Sequence, residues 1–146
     1  MDDWQQLVLR HALAEGPDGR FAPFEVGVNV PRQNGKGGII EARELAGLFL
    51  LGEQLIIHSA HQFDTSLEAF RRLLDCVEGT PELSKLVKRV SRAHGEEGIE
   101  LTTGQRVRFR TRTKGGGRGF TGDCLILDEA MIMRREPLEK VAVISC

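Results

Sequence analysis

Two short stretches of this sequence carry residue types whose spacing could do chemistry. The first is Val30-Pro31-Arg32-Gln33-Asn34-Gly35-Lys36-Gly37-Gly38. A glycine-rich turn between a strand and a helix points successive backbone N–H groups inward. The helix N-terminus adds partial positive charge, and a lysine there reaches the outer phosphates of a nucleotide. The match to the phosphate-loop pattern is incomplete. That pattern asks for Gly at position 30 and Ser or Thr at 37, where the chain has Val30 and Gly37; only Gly35 and Lys36 fit. The second stretch is Cys124-Leu125-Ile126-Leu127-Asp128-Glu129-Ala130, an apolar run ending in two acids. It reads as a buried parallel strand with carboxylates at its C-terminal edge, where open α/β sheets bind ligands. Each stretch alone has a plainer reading, an ordinary turn and an acidic first helical turn. Their joint occurrence favours a phosphate site.

The elements that must position these residues follow from apolar spacing. Phe24 to Val30 alternates as a strand, and Ile39, Ile40, Ala42, Leu45, Ala46, Leu48 and Phe49 recur at helical spacing up to Gly52. Gln54 to Ala60 reads as a second buried strand. His61 to Glu78 follows as a helix, with Phe63, Leu67, Phe70, Leu73, Leu74 and Val77 on one face. This repetition predicts an α/β fold with a mostly parallel sheet and crossover helices. Before it, residues 2–14 form an amphipathic helix stopped by Gly16-Pro17-Asp18-Gly19. On spacing alone Trp4 anchors that helix to the core and Gln5 and Gln6 face water.

Downstream, Pro81 to Val90 reads as a short helix, and the period then changes. Ile99-Glu100-Leu101 and Arg106 to Arg112 flank a Thr-Thr-Gly-Gln turn, which predicts a β-hairpin added to the parallel sheet. Period two puts Arg106, Arg108, Arg110 and Arg112 on one face. Two readings compete there: a solvated strand face, or a row of guanidiniums set for the phosphates of DNA or of nucleotide. Asp123 to Asp128 is the next strand, Ala130 to Met133 begins a helix, and Val141 to Ile144 starts one more strand.

The chain of 146 residues, 40% hydrophobic and 28% charged, is predicted to form one globular domain. A net charge of −1 gives no global pull toward nucleic acid, so any such contact must come from a local patch. No apolar run approaches the ~20 residues of a membrane span. The acidic start Met1-Asp2-Asp3-Trp4 is unlike a signal peptide. Cys76, Cys124 and Cys146 are odd in number and unpatterned, as expected of core thiols in a reducing cytoplasm. His58 and His61 lie three apart without a carboxylate or cysteine at ligand spacing, which favours polar loop residues over metal ligands.

The order of these pieces resembles the N-terminal ATPase domain of the large terminase subunit of tailed bacteriophages, the motor that packages DNA into capsids. The resemblance rests on Trp4-Gln5, Pro31 to Lys36, Ala60-His61-Gln62 with Ala69-Phe70-Arg71-Arg72, and the hairpin with Gly104. Arg118-Gly119-Phe120-Thr121-Gly122-Asp123 and Leu125 to Ala130 complete the set. It covers nearly the whole chain up to about Met133. It implies a P-loop NTPase-like fold of the recombinase-like (ASCE) type, with ATP and Mg²⁺ as cofactors. Gln5 would contact adenine, reversing the spacing-based reading of that residue. The backbone of Gln33, Asn34, Gly35, Lys36 and Gly37 would wrap the phosphates, and Lys36 would neutralise the outer two. Arg32 would sense or stabilise the γ-phosphate, Asp128 would hold Mg²⁺ through water, and Glu129 would orient or deprotonate the attacking water.

The same resemblance implies double-stranded phage DNA, the small terminase subunit, further copies of the large subunit and the capsid portal as partners. It implies no membrane, and the cytoplasm of an infected or lysogenic host as location. Two departures stand against it. Gly37 replaces the Ser or Thr whose hydroxyl would sit on Mg²⁺. The family also continues through a coupling segment and a nuclease domain, so residues 1–146 are expected to form an ATPase domain incomplete at its C-terminus, without nuclease activity. Three functions are compatible with this sequence. They are an ATP-hydrolysing packaging motor domain, a truncated nucleotide-binding or interaction module with little turnover, and a helicase-like DNA-dependent ATPase.

Overall fold

The computed structural model describes residues 1–31, 33–112 and 121–130, together with the backbone of 141–145. Its elements run α1 (Asp3–Ala12), β1 (Glu25–Asn29), α2 (Lys36–Phe49), β2 (Leu55–Ala60), α3 (Phe63–Glu78), α4 (Pro81–Ser84), β3 (Val87–Ser91), β4 (Gly98–Leu101), β5 (Arg106–Thr111), β6 (Cys124–Leu127) and β7 (Val141–Ser145). The strands form one sheet in the order β1-β7-β6-β2-β5-β4-β3. The α/β class and the alternation of strand and helix through α3 are as expected.

The sheet is mixed rather than mostly parallel. β2 pairs in parallel with β5 and β6, but β7 lies antiparallel between β1 and β6, and β4 is antiparallel to both β3 and β5. Because β1 and β6 both oppose β7, they run in the same direction as β2 and β5. Their C-terminal ends therefore share one edge, and the turns that leave it carry the loop and the two acids.

The expected hairpin forms, with Ile99 opposite Val107 and Glu100 opposite Arg106. It is not an appendage, since β5 is an interior strand paired to β2 along its whole length. The helix expected over 81–90 is a correction. α4 occupies only its first four residues, and Val87 to Ser91 is the edge strand β3. A bulge between Val87 and Arg89 sets Val87 opposite Leu101 and Val90 opposite Ile99. The extra residue puts two valines three apart on the same face, which imitates helical spacing.

The core lies on the sheet face covered by α2 and α3. Ile40 and Leu48 of α2 meet Phe70, Leu73, Leu74 and Val77 of α3 over Ile56, Ile99, Leu101, Val107, Phe109, Cys124 and Ile126. Phe70 meets Phe109 edge-on with ring centroids 5.5 Å apart. The α3 face predicted from spacing is the buried one. At the sheet's other end, the Asp123 carboxylate accepts from the backbone N–H groups of Gln54 and Leu55, at 2.8 and 3.0 Å. That contact pins the start of β2 to the start of β6. No helix among the described residues is long and apolar enough to cross a membrane.

Candidate functional site

The loop between β1 and α2 turns on two residues with positive φ, Gln33 at 58° and Gly35 at 79°. Gly35 also meets Gln5, because a Cβ at position 35 would lie 2.5 Å from the Gln5 Nε2. Glycine satisfies both the left-handed backbone and the close approach. α2 then begins at Lys36 without a side-chain cap, so its first turn presents backbone N–H groups toward the loop. Gln5 is buried rather than facing water. Its Nε2 donates to the Gly35 carbonyl at 2.7 Å, and its Oε1 accepts from the Asp2 N–H at 2.7 Å. Helix α1 is thus tied to the loop through one side chain.

Opposite the loop, Asp128 and Glu129 form the turn that follows β6. Asp128 Oδ1 lies 2.5 Å from Lys36 Nζ and accepts from the Glu129 N–H at 2.8 Å. Glu129 has a φ of 55°, a backbone state that costs a non-glycine residue on the order of 1 kcal/mol or more. Its Oε2 is buried and has no hydrogen-bond partner among the described residues. A carboxylate oxygen without a partner among the described residues, beside an ion pair, is suited to an added water or ligand donor.

Arg112 holds this turn. Its Nη1 donates to the Ser59 carbonyl at 2.7 Å, and its Nη2 donates to the carbonyls of Asp128 and Glu129. Backbone bonds from Asp128 N to Ser59 O and from Arg112 N to Ala60 O, both 2.8 Å, complete the tie. Burial holds the Arg112 guanidinium below its ordinary pKa, and the charges of Asp128 and Glu129 oppose that shift.

Loop and acids face each other across a cleft of about 330 Å³, which Gln33, Asn34, Gly35, Lys36, Gly37, Asp128 and Glu129 all line. Arg32 lies outside the described residues, as do Lys114, Arg118 and, beyond Ala130, the helix expected over Ala130 to Met133. The arginine row divides. Arg106 and Arg108 are exposed and line a separate, small groove with Arg89 and Glu100, away from the cleft. Arg110 donates to the Gly95 carbonyl at 3.0 Å. Arg112 is buried behind the acid turn, because alternation does not carry past Thr111, where the strand ends.

Two further side chains at the cleft have no role assigned from the sequence. Thr65 and Arg72 of α3 line it. A neighbouring cavity of about 440 Å³ between α2 and α3 shares Gly37, Thr65, Arg72 and Asp128, and is also lined by Glu44 and His58. His58 is not a loop residue. It is buried in β2, with its Nδ1 2.5 Å from Glu44 Oε1 and its ring stacked 5.0 Å from that of Phe109. The carboxylate partner comes from α2, fourteen residues away, which no local spacing reveals.

For a magnesium ion, the described residues offer no cluster of three or more His, Cys, Asp or Glu ligands. Mg²⁺ on a nucleotide needs only one or two carboxylates beside phosphate oxygens and water. Asp128, with one oxygen already paired to Lys36, fits that requirement.

Comparison with known proteins falls on the fold. No protein-family model matches this chain, and no curated protein matches it. Among solved structures, the chain is similar to the crystal structure of the HK97 bacteriophage large terminase, with a TM-score of 0.66 and 19% sequence identity. It shares that fold. The match covers 89% of this chain and 26% of the terminase, so the chain spans about a quarter of the protein it resembles.

Proposed function

We propose that this chain is the ATP-binding and ATP-hydrolysing domain of a large terminase subunit, acting in the packaging of phage DNA. The observation that carries the nucleotide reading is the ion pair of Lys36 and Asp128 across a cleft walled by a glycine-turned loop. A lysine held at 2.5 Å from the acid is already positioned where a phosphate tail would enter. The shared fold with the HK97 large terminase supports the choice of motor. DNA, the capsid portal and other terminase subunits would be its partners in that role.

In this reading the loop backbone from Gln33 to Gly37 cradles the phosphates, and Lys36 exchanges Asp128 for their outer oxygens. Arg32 would contact the γ-phosphate. Asp128 would hold Mg²⁺ through water, and the ion would neutralise charge on the outer phosphates. Glu129, with its orphaned Oε2, accepts a hydrogen bond from the attacking water and takes its proton as the new oxygen–phosphorus bond forms. The bond to the bridging oxygen breaks, and ADP and phosphate leave. Gln5 is engaged at both ends of its amide, so an adenine contact would exchange one of those bonds.

One observation favours a second reading, nucleotide binding with little turnover. Gly37 brings no hydroxyl to the metal. The experiment that tests the site common to both readings is equilibrium binding of Mg·ATP to the parent and to Lys36→Ala. Loss of at least ~30-fold in affinity is expected from removing a charge-assisted phosphate contact. Equal affinity of the two proteins would sink the loop as the phosphate site.

A further inference from the structure

Position 37 is where the phosphate-loop pattern places a hydroxyl, and here it has no side chain. The space is not empty. A Cβ built at Gly37 would lie 2.5 Å from Arg72 Nη1, 3.2 Å from Cζ and 3.3 Å from Nη2. The guanidinium of Arg72, reaching from α3, occupies the volume that a side chain at 37 would fill. Any larger residue there must push it away.

Arg72 is loosely held. Its side chain is 49% exposed, and its ion pair with Glu41 Oε2 is long, at 3.3 Å. It also lines the cleft with Lys36, Asp128 and Glu129. The charges of those three sum to −1, since Lys36 is offset by Asp128 and Glu129 adds a further negative charge. A polyphosphate entering there needs more positive charge than Lys36 alone brings. Arg72 supplies it, and a guanidinium fork can bond two phosphate oxygens at once. Its place over Gly37 lies beside Lys36, on the side where the pattern locates the metal and the outermost phosphate.

We propose that Arg72 is a phosphate-contacting residue of this site, that it reads the terminal phosphate of a nucleoside triphosphate, and that glycine at 37 is what admits it. The departure from the loop pattern and the arginine on α3 are then two halves of one arrangement. A cation supplied within the same chain takes the place that a metal-bound hydroxyl has elsewhere. This rests on the nucleotide reading above.

The test compares Mg²⁺ complexes of ADP and of the non-hydrolysable β,γ-imido analogue of ATP, titrated against parent, Arg72→Ala, Gly37→Ala and the double variant, with Lys36→Ala as control. Arg72→Ala should weaken the triphosphate analogue about tenfold, the effect of one charge-assisted contact, and ADP less than about threefold. Gly37→Ala adds only a methyl at a helical position and should displace the guanidinium, reproducing that selective loss. The double variant should then be no worse than either single one. Thermal melting checks that Arg72→Ala stays folded, and Gly37→Ala gives an independent route to the same answer.

An unchanged preference for triphosphate in Arg72→Ala, with binding abolished in Lys36→Ala, overturns the proposal and leaves the phosphate site standing. Equal losses for both nucleotides contradict the terminal-phosphate assignment. A parent that binds neither nucleotide overturns both the proposal and the reading beneath it.

Discussion

The two walls of the cleft are built differently. The acid wall is interlocked: Arg112 bonds three carbonyls, Asp128 N–H continues the β2 ladder, and the Asp128 carboxylate caps the Glu129 N–H. Among the described residues the loop wall is held by Gln5 on the Gly35 carbonyl, by one short backbone turn from Gly38 N to Gly35 O, and by Lys36 on Asp128. Each wall holds one non-glycine residue with positive φ, Glu129 in the first and Gln33 in the second. Among the described residues the acid turn has the more numerous fixed partners, and Lys36, paired to Asp128, is the point where the two walls meet.

Breaking the acid wall should have the larger effect on the fold. Arg112→Ala strands buried carbonyls of Ser59, Asp128 and Glu129, which should cost on the order of 3 kcal/mol. That corresponds to a fall of roughly 10 °C in melting temperature for a chain of this size, readable by calorimetry. Turnover should fall more than nucleotide affinity, because the Glu129 oxygen loses its fixed position. Loss of affinity with turnover per bound nucleotide unchanged would contradict the division between the walls.

Breaking the loop wall should do less to the fold and more to binding. Gln5→Ala removes the tie between α1 and the loop together with the bond from the Asp2 N–H, and should cost about 2 kcal/mol of stability. Mg·ATP affinity should drop about fivefold, measured by titration, as the loop loses its preset shape. A melting change as large as that of Arg112→Ala would mean that the loop wall is no looser than the other.

What the sequence made legible was whatever sits in one local run. The loop between a strand and a helix, the apolar strand ending in two acids, and the buried face of α3 are all periodic over adjacent residues. The rest depends on features a run does not carry. A strand reads the same whichever way it points, so the antiparallel β7 between β1 and β6 was hidden. The bulge in β3 gave two valines a helical spacing. Period two carried Arg112 onto the outward row, although the strand stops one residue earlier. Gln5 looked solvent-facing from its helix, and only its resemblance to a known motif marked it out. His58 with Glu44, and Arg72 over Gly37, are pairs between separate elements that only folding brings together.

In the proposed function Lys36 and Glu129 serve one hydrolytic site from opposite walls. The most direct test is steady-state phosphate release from Mg·ATP by the parent chain, beside Lys36→Ala and Glu129→Gln. Release by the parent is expected, with a loss of at least ~100-fold in Glu129→Gln while nucleotide still binds, the scale of losing a general base. Lys36→Ala should lose both binding and release. Turnover in Glu129→Gln equal to that of the parent would contradict this assignment.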